Sequence, residues 1–193
     1  MREFYFLRHG QTDWNVEGRL QGRADIPLNA AGIAQAVSAA RHYLKYPVDR
    51  IVSSPQSRAK VTAEHVAQSL NIPIDIDERL MERCSGMLDG MTVAEIERAD
   101  PALLYDTDIA NDWYPDRPMP RGGETKAQVA ERAHSAVMDY LARHPNQKIL
   151  FVAHGAWFRA LVHRLSGEVI YSENATPYIF SPQEASWLIK VAK

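Results

Sequence analysis

Phe4-Tyr5-Phe6-Leu7-Arg8-His9-Gly10-Gln11-Thr12-Asp13-Trp14-Asn15 is the stretch on which the reading of this chain turns. Four consecutive apolar residues bounded by charge predict a short strand buried on both faces. The strand runs straight into Arg8-His9-Gly10, and in an α/β fold that junction is the carboxyl end of a strand, where ligands bind. Gly10 lets the backbone turn and keeps a side chain out of the space beside His9. An imidazole next to a guanidinium suits an anion such as phosphate. Arginine offers a rigid fork of donors to its oxygens, and a neutral histidine can attack phosphorus. One such triplet is weak evidence, since a lone histidine is more often structural. A second pair, His154-Gly155, also follows an apolar run, 149–153. The two pairs meet if their strands are neighbours in one parallel sheet.

The rest of the composition sets bounds. A chain of 193 residues, 46% hydrophobic, can bury a real core and is expected to form one domain, 1–193. With 22 basic and 24 acidic side chains the formal charge is −2, which argues against a general nucleic-acid binder. A few local arginines would still hold a small anionic substrate. Cys84 is the only cysteine, so neither an intrachain disulfide nor a cysteine metal site is expected. Arg2-Glu3 leads at once into the first strand, with no leader pattern, and no apolar run approaches the ~20 residues of a membrane helix. The expectation is a cytoplasmic protein with no membrane partner.

Residues 16–28, with two glycines and a proline, read as a loop placed to wall a strand-end pocket. Asn29 is a plausible N-cap for an Ala-rich helix with Ile33, Ala36, Val37, Ala40 and Leu44 at helical spacing, closed by Pro47. Residues 50–55 read as a second strand and 56–70 as a helix. Arg58 in its first turn opposes the helix dipole, yet a helix N-terminus and an arginine together make an anion site. A short strand at 73–76, a short helix at 92–100, a long helix from Gly122 to about Arg143, the strand before His154 and the helix 156–165 follow. Phe180 and 187–191 supply the last strands. The aromatic, proline-rich segment 100–121 is expected to be a long loop, and such loops often serve as lids or specificity elements. His42, His65, His134, His144 and His163 carry no motif and are read as structural or exposed. Asp13 and Asp25 are read as turn caps, Trp14 as packing beneath the turn, and one of Trp157 and Phe158 as core with the other on the pocket wall.

Leu7-Arg8-His9-Gly10-Gln11-Thr12, with Trp14-Asn15 following, resembles the signature of the histidine phosphatase superfamily, in the branch that holds cofactor-dependent phosphoglycerate mutases and many small phosphatases. The resemblance spans nearly the whole chain. It implies a three-layer α/β/α sandwich around a mainly parallel sheet, like that of phosphoglycerate mutase, and the order of elements agrees. It implies that His9 is the nucleophile, forming a phosphohistidine, and that Arg8, Arg58 and His154, with Asn15, hold the phosphoryl oxygens. Ser53-Ser54-Pro55 followed by Arg58 is similar to the family's phosphoryl-binding segment. Glu82, with Gly86 and Asp89-Gly90 after it, resembles the segment of the proton donor. A carboxyl beside an anionic phosphate can hold the proton that the leaving oxygen needs. Gln11, Thr12, Gln21, Gly22 and Gly155 fall at pocket positions, and Pro120 to Thr125 matches a stretch common in the phosphatase branch. Arginines and histidine would do the charge neutralisation, so neither metal nor cofactor is implied.

The mutases carry a tyrosine where this chain has Ser85, a lysine after Gly90, and paired arginines further on. Here Arg83 and Gly86 are kept, Met91-Thr92-Val93 follow Gly90 with no lysine among them, and no Arg-Arg pair occurs. The expected activity is therefore a metal-independent phosphoric monoester hydrolase of the histidine acid phosphatase type, acting on a small phosphorylated metabolite. Arg83, Arg23 and Arg121 could meet a second anionic group, which favours small acidic metabolites. A phosphoglycerate mutase, a protein phosphatase and a non-catalytic phosphate-binding protein are the alternatives. A homodimer is compatible with the resemblance.

Overall fold

The computed structural model describes residues 2–99 and 122–192, so the expected lid at 100–121 lies outside the described residues. The first strand, β1 (Phe4–Arg8), lies inside a six-stranded sheet. It pairs in parallel with β4 (Ile149–Ala153), with Tyr5 opposite Leu150 and Leu7 opposite Val152. β2 (Arg50–Ser53) pairs in parallel with β4 and with β3 (Ile74–Ile76). On the other side of β1, β5 (Pro177–Pro182) and then β6 (Trp187–Val191) run antiparallel. The sheet order is β3-β2-β4-β1-β5-β6, so the strands ending in the two His-Gly pairs are neighbours.

Strand side chains alternate between faces, and that alternation divides the core in two. Phe4, Phe6, Val52, Phe151 and Phe180 point into one layer, and Tyr5, Leu7, Ile51, Leu150 and Val152 into the other. The first layer is closed by α5 (Lys126–Arg143) and α6 (Gly155–Ser166), the second by α2 (Ala30–Tyr43) and α3 (Ser57–Leu70). These are the three layers of the expected sandwich. Two further helices are the single-turn α1 (Asp13–Val16) and the short α4 (Val93–Ala99). Among the described residues no helix is long and apolar enough to cross a membrane.

Three local expectations are corrected. Ile33 and Leu44 of the Ala-rich segment are exposed, at 46% and 60%, and the buried face is Gly32, Ala36, Ala39, Ala40 and Tyr43. Close approach explains the choice of small residues. A Cβ on Gly32 would collide with the Gln11 carbonyl oxygen, and one on Gly10 with the Gly32 carbonyl oxygen. Gly10 therefore serves backbone-to-backbone contact between the turn after His9 and α2. Trp157 and Phe158 are both fully buried, packed on Phe6 at centroid distances of 5.7 and 4.6 Å, so neither forms pocket wall. The long helix begins at Lys126, where Thr125 and Gln128 form a capping box, and Gly122 to Glu124 precede it.

Candidate active site

Each chemically distinctive group sits where a parallel strand ends. Arg8 closes β1 and His9 follows it; Ser54 follows β2, with Arg58 in the first turn of α3; Glu82 lies beyond β3; His154 follows β4 and caps α6. The His9 and His154 rings are 5.1 Å apart between centroids. A cavity of about 150 Å³ opens here, and its wall includes Arg8, His9, Asn15, Gln21, Gly22, Arg58, Glu82, Arg83 and Gly155.

His9 is buried, and its Nδ1 lies 2.7 Å from the Gly10 carbonyl oxygen. A carbonyl only accepts, so Nδ1 carries the proton and Nε2 keeps its lone pair. Burial pushes the imidazole pKa well below its ordinary value, and the neighbouring Arg8 and Arg58 charges push it further. The ring is a neutral base at pH 7. His154 is held the same way, by burial first and then by Arg58 and His9. Its Nε2 is 2.9 Å from Ser54 Oγ, and its buried Nδ1 has no hydrogen-bond partner among the described residues.

The guanidinium of Arg58 is fully buried, donating from Nη1 to Ala24 O at 2.7 Å and from Nη2 to Gly22 O at 3.1 Å. The 16–28 loop thus orients it, as a wall element would. Burial lowers its pKa to about 10, against the pull of Glu82 and Asp25, so it remains charged at neutral pH. Arg8 donates from Nη1 to Ser172 O at 2.7 Å, and burial lowers its pKa too. In both arginines the buried Nε has no partner among the described residues. Asp25 reaches across to α3 rather than capping its own turn: its Oδ1 accepts from Ser57 N, the first residue of that helix.

Glu82 spans the gap to α6. Its Oε1 accepts from Trp157 N at 3.1 Å and from Arg83 N at 2.9 Å, and its Oε2 accepts from Ala156 N at 3.2 Å. The carboxylate therefore sits on the free N–H groups of a helix start. Gln56, buried, joins the two halves of the site: its Oε1 accepts from Glu82 N, and its Nε2 donates to the same Gly22 O that receives Arg58.

Gln11, Thr12 and His154 do not line the cavity. Gln11 faces α2, receiving Asn29 Nδ2 on its side chain while its N–H goes to Gln35. Thr12 is the N-cap of α1, committed to Asn15. Asn15 Oδ1 also accepts from Asn174, which leaves its amide nitrogen as a donor at the cavity wall. Trp14 is partly buried, with its ring against Gly90.

The structure adds wall residues that the sequence reading passed over, Arg19, Ser85 and Arg159 among them. Arg159 stands one helical turn after Gly155, a spacing that could have marked it. It also adds a bracket from the segment before β5. Ser172 O holds Arg8, Asn174 Nδ2 donates to His9 O at 2.9 Å, and Ala175 N donates to Arg8 O at 3.0 Å. The five motif-free histidines lie in α2, α3, α5 and α6 or at the C-cap of α5, away from the wall.

The family model for the histidine phosphatase superfamily (branch 1) matches residues 4–188. The chain belongs to this superfamily. A Bacillus subtilis relative described as an uncharacterized phosphatase, PhoE, is 37% identical over 161 residues, covering 83% of this chain and 76% of its own. A Salmonella paratyphi A protein described as a probable phosphoglycerate mutase, GpmB, is 30% identical across 97% of this chain and 88% of its own. The structure of a mycobacterial glucosyl-3-phosphoglycerate phosphatase complexed with VO3 is 31% identical, with a TM-score of 0.86 over 99% of this chain and 97% of that one. As a histidine phosphatase superfamily member with phosphatase relatives, the protein is a phosphatase or phosphoryl-transfer enzyme.

Proposed function

We propose that the protein is a metal-independent phosphomonoesterase that hydrolyses a small phosphorylated metabolite through a phosphohistidine on His9. The observation that carries this reading is the tautomer of His9. A buried, neutral ring has its Nδ1–H spent on Gly10 O and its Nε2 lone pair available at a cavity walled by Arg8 and Arg58.

In the first step Nε2 attacks phosphorus in line, a P–N bond forms and the ester P–O bond breaks. Glu82, which takes up a proton when the anionic phosphate lies beside it, gives that proton to the departing oxygen. In the second step Glu82, now a carboxylate, takes a proton from water as the water oxygen attacks phosphorus. The P–N bond breaks, and Nε2 recovers its lone pair. The transferring group is a loose, anionic species whose equatorial oxygens need donors already in place. The buried Nε–H groups of Arg8 and Arg58 and the amide of Asn15 are such donors. A buried N–H without a partner is costly, and a phosphoryl oxygen would relieve that cost. His154, its ring 5.1 Å from that of His9 but outside the cavity wall, stands next to the nucleophile rather than among these donors.

Water as the acceptor is favoured over a second substrate oxygen because Ser85 and the stretch after Gly90 lack the groups with which the mutases hold a sugar-acid. A small substrate suits the cavity volume and the kinship to a glucosyl-3-phosphoglycerate phosphatase. The test is phosphate release from a panel of phosphomonoesters in EDTA, with the parent and His9→Ala side by side. Turnover that survives EDTA and disappears in the variant is expected. Turnover that persists in His9→Ala would overturn the mechanism, and efficient conversion of 3- to 2-phosphoglycerate would replace the hydrolase with a mutase.

A further inference from the structure

The segment that presents Glu82 has no regular structure of its own. A single 3-10 turn, Glu78–Leu80, precedes it, and residues 82–85 belong to neither helix nor strand. The Glu82 carboxyl rests on the N–H groups of Arg83, Ala156 and Trp157, and Glu82 N on Gln56, but no ladder of backbone hydrogen bonds fixes the segment that carries them. Its carbonyls are held by one side chain from a different layer. Arg132, on α5, donates from Nη1 to Arg79 O at 2.7 Å and to Met81 O at 2.6 Å, and from Nη2 to Glu82 O at 3.2 Å. Its remaining donors face Glu124, Nε to Oε1 at 2.8 Å and Nη2 to Oε2 at 3.0 Å. Glu124 Oε2 then accepts from Cys84 N at 2.8 Å. The ion pair thus grips the chain before, at and after the acid.

Glu124 belongs to the Gly-Gly-Glu-Thr stretch that stood out in the sequence, and nothing in the reaction above uses it. Burial pushes its pKa up, but the hydrogen bonds and charge of Arg132 outweigh that and hold it below the ordinary carboxylate value, so Glu124 stays ionised at neutral pH. Arg132 fits the task because its planar fork reaches several carbonyls at once, which a lysine ammonium cannot do. Neither Arg132 nor Glu124 lines the cavity.

Resting on the reaction proposed above, we propose that Arg132, braced by Glu124, is the positioning residue that holds Glu82 for proton transfer to the leaving oxygen. A general acid must sit within a fraction of an ångström of its productive place, so loosening the grip would cost proton donation specifically. The nucleophile and the phosphoryl-binding arginines are anchored elsewhere, on Gly10, Ser172, Gly22 and Ala24.

Leaving-group dependence separates this role from a structural one. An alkyl phosphate releases an alkoxide that needs the proton, whereas p-nitrophenyl phosphate releases a phenolate that does not. The quantity to compare is kcat/KM, which covers the phosphorylation step alone. Arg132→Lys is expected to lose about 10- to 100-fold on an alkyl ester and less than about threefold on p-nitrophenyl phosphate, a part of the roughly 10²- to 10⁴-fold that a positioned general acid contributes. Glu82→Gln should show the same selectivity more strongly, and Glu124→Gln the same selectivity more weakly. Circular dichroism of each variant confirms the fold. Equal losses on both esters by folded Arg132→Lys and Glu124→Gln, or no loss on either, would overturn the positioning role while leaving the reaction intact. A parent that hydrolyses neither ester, or a Glu82→Gln that does not discriminate, would overturn the underlying reaction.

Discussion

A histidine nucleophile is useful only while it is unprotonated, and two guanidinium groups beside it serve that end as well as binding phosphate. The fields of Arg8 and Arg58 add to burial in keeping His9 neutral, and the same charges, with burial, keep His154 neutral. Both rings should therefore fail to titrate in the range where a solvent-exposed histidine does, about pH 6.5. Two-dimensional 1H–15N spectra of the imidazoles, recorded from pH 7.5 to 5.5, are expected to show His9 with a protonated Nδ1 and a bare Nε2 throughout. A His9 ring passing to the doubly protonated form near pH 6.5 would contradict the electrostatic account. The tautomer follows from one contact to Gly10 O, which sequence cannot display, although the Arg-His-Gly triplet already pointed to the residue.

At the scale of elements, the site depends on how closely a turn and a helix meet. The turn after His9 and the start of α2 touch backbone to backbone through Gly10 and Gly32, and Asn29 ties the same junction by capping α2 and donating to Gln11. Gly32→Ala would force its Cβ onto the Gln11 carbonyl, and overpacking of this kind costs about 1–3 kcal/mol. Urea denaturation should report that loss, and kcat/KM should fall with it because the Gly10 carbonyl that orients His9 lies in the displaced turn. An unchanged midpoint would mean that α2 yields freely. The periodic apolar pattern of this segment was legible, but it put Ile33 and Leu44 inside, because spacing alone does not reveal that the tightest contact selects the smallest residues. The bracket at 172–175 was not legible for a related reason. Ser172 and Ala175 act through a carbonyl and an N–H, which any residue would carry, and only Asn174 contributes a side chain.

Over the whole molecule, the sheet order does what two short motifs by themselves could not. It sets β4 next to β1, so His9 and His154 arrive together from distant parts of the chain. The cost of gathering them is that the folded protein buries two imidazoles in the neutral form. In the unfolded chain both bind a proton below about pH 6.5, while in the native state they bind one only at much lower pH. The unfolded state therefore takes up more protons as pH falls, and stability must fall with it. The window opens at about 6.5 and extends down to the depressed native values. Within it each such group contributes a slope of about 1.4 kcal/mol per pH unit. His42, His134 and His163, lowered by partial burial, act in the same direction over a narrower range. The depressed carboxylates Asp77 and Glu124 begin to contribute only nearer their unfolded values, about pH 4, so the interval from pH 6.5 to 5.5 isolates the histidines. Urea midpoints of the parent should drop across that interval, and those of His9→Ala should drop less steeply, by the share of one group. Equal slopes in the two proteins would mean that His9 takes up its proton in the folded state, and the neutral nucleophile would have to be abandoned.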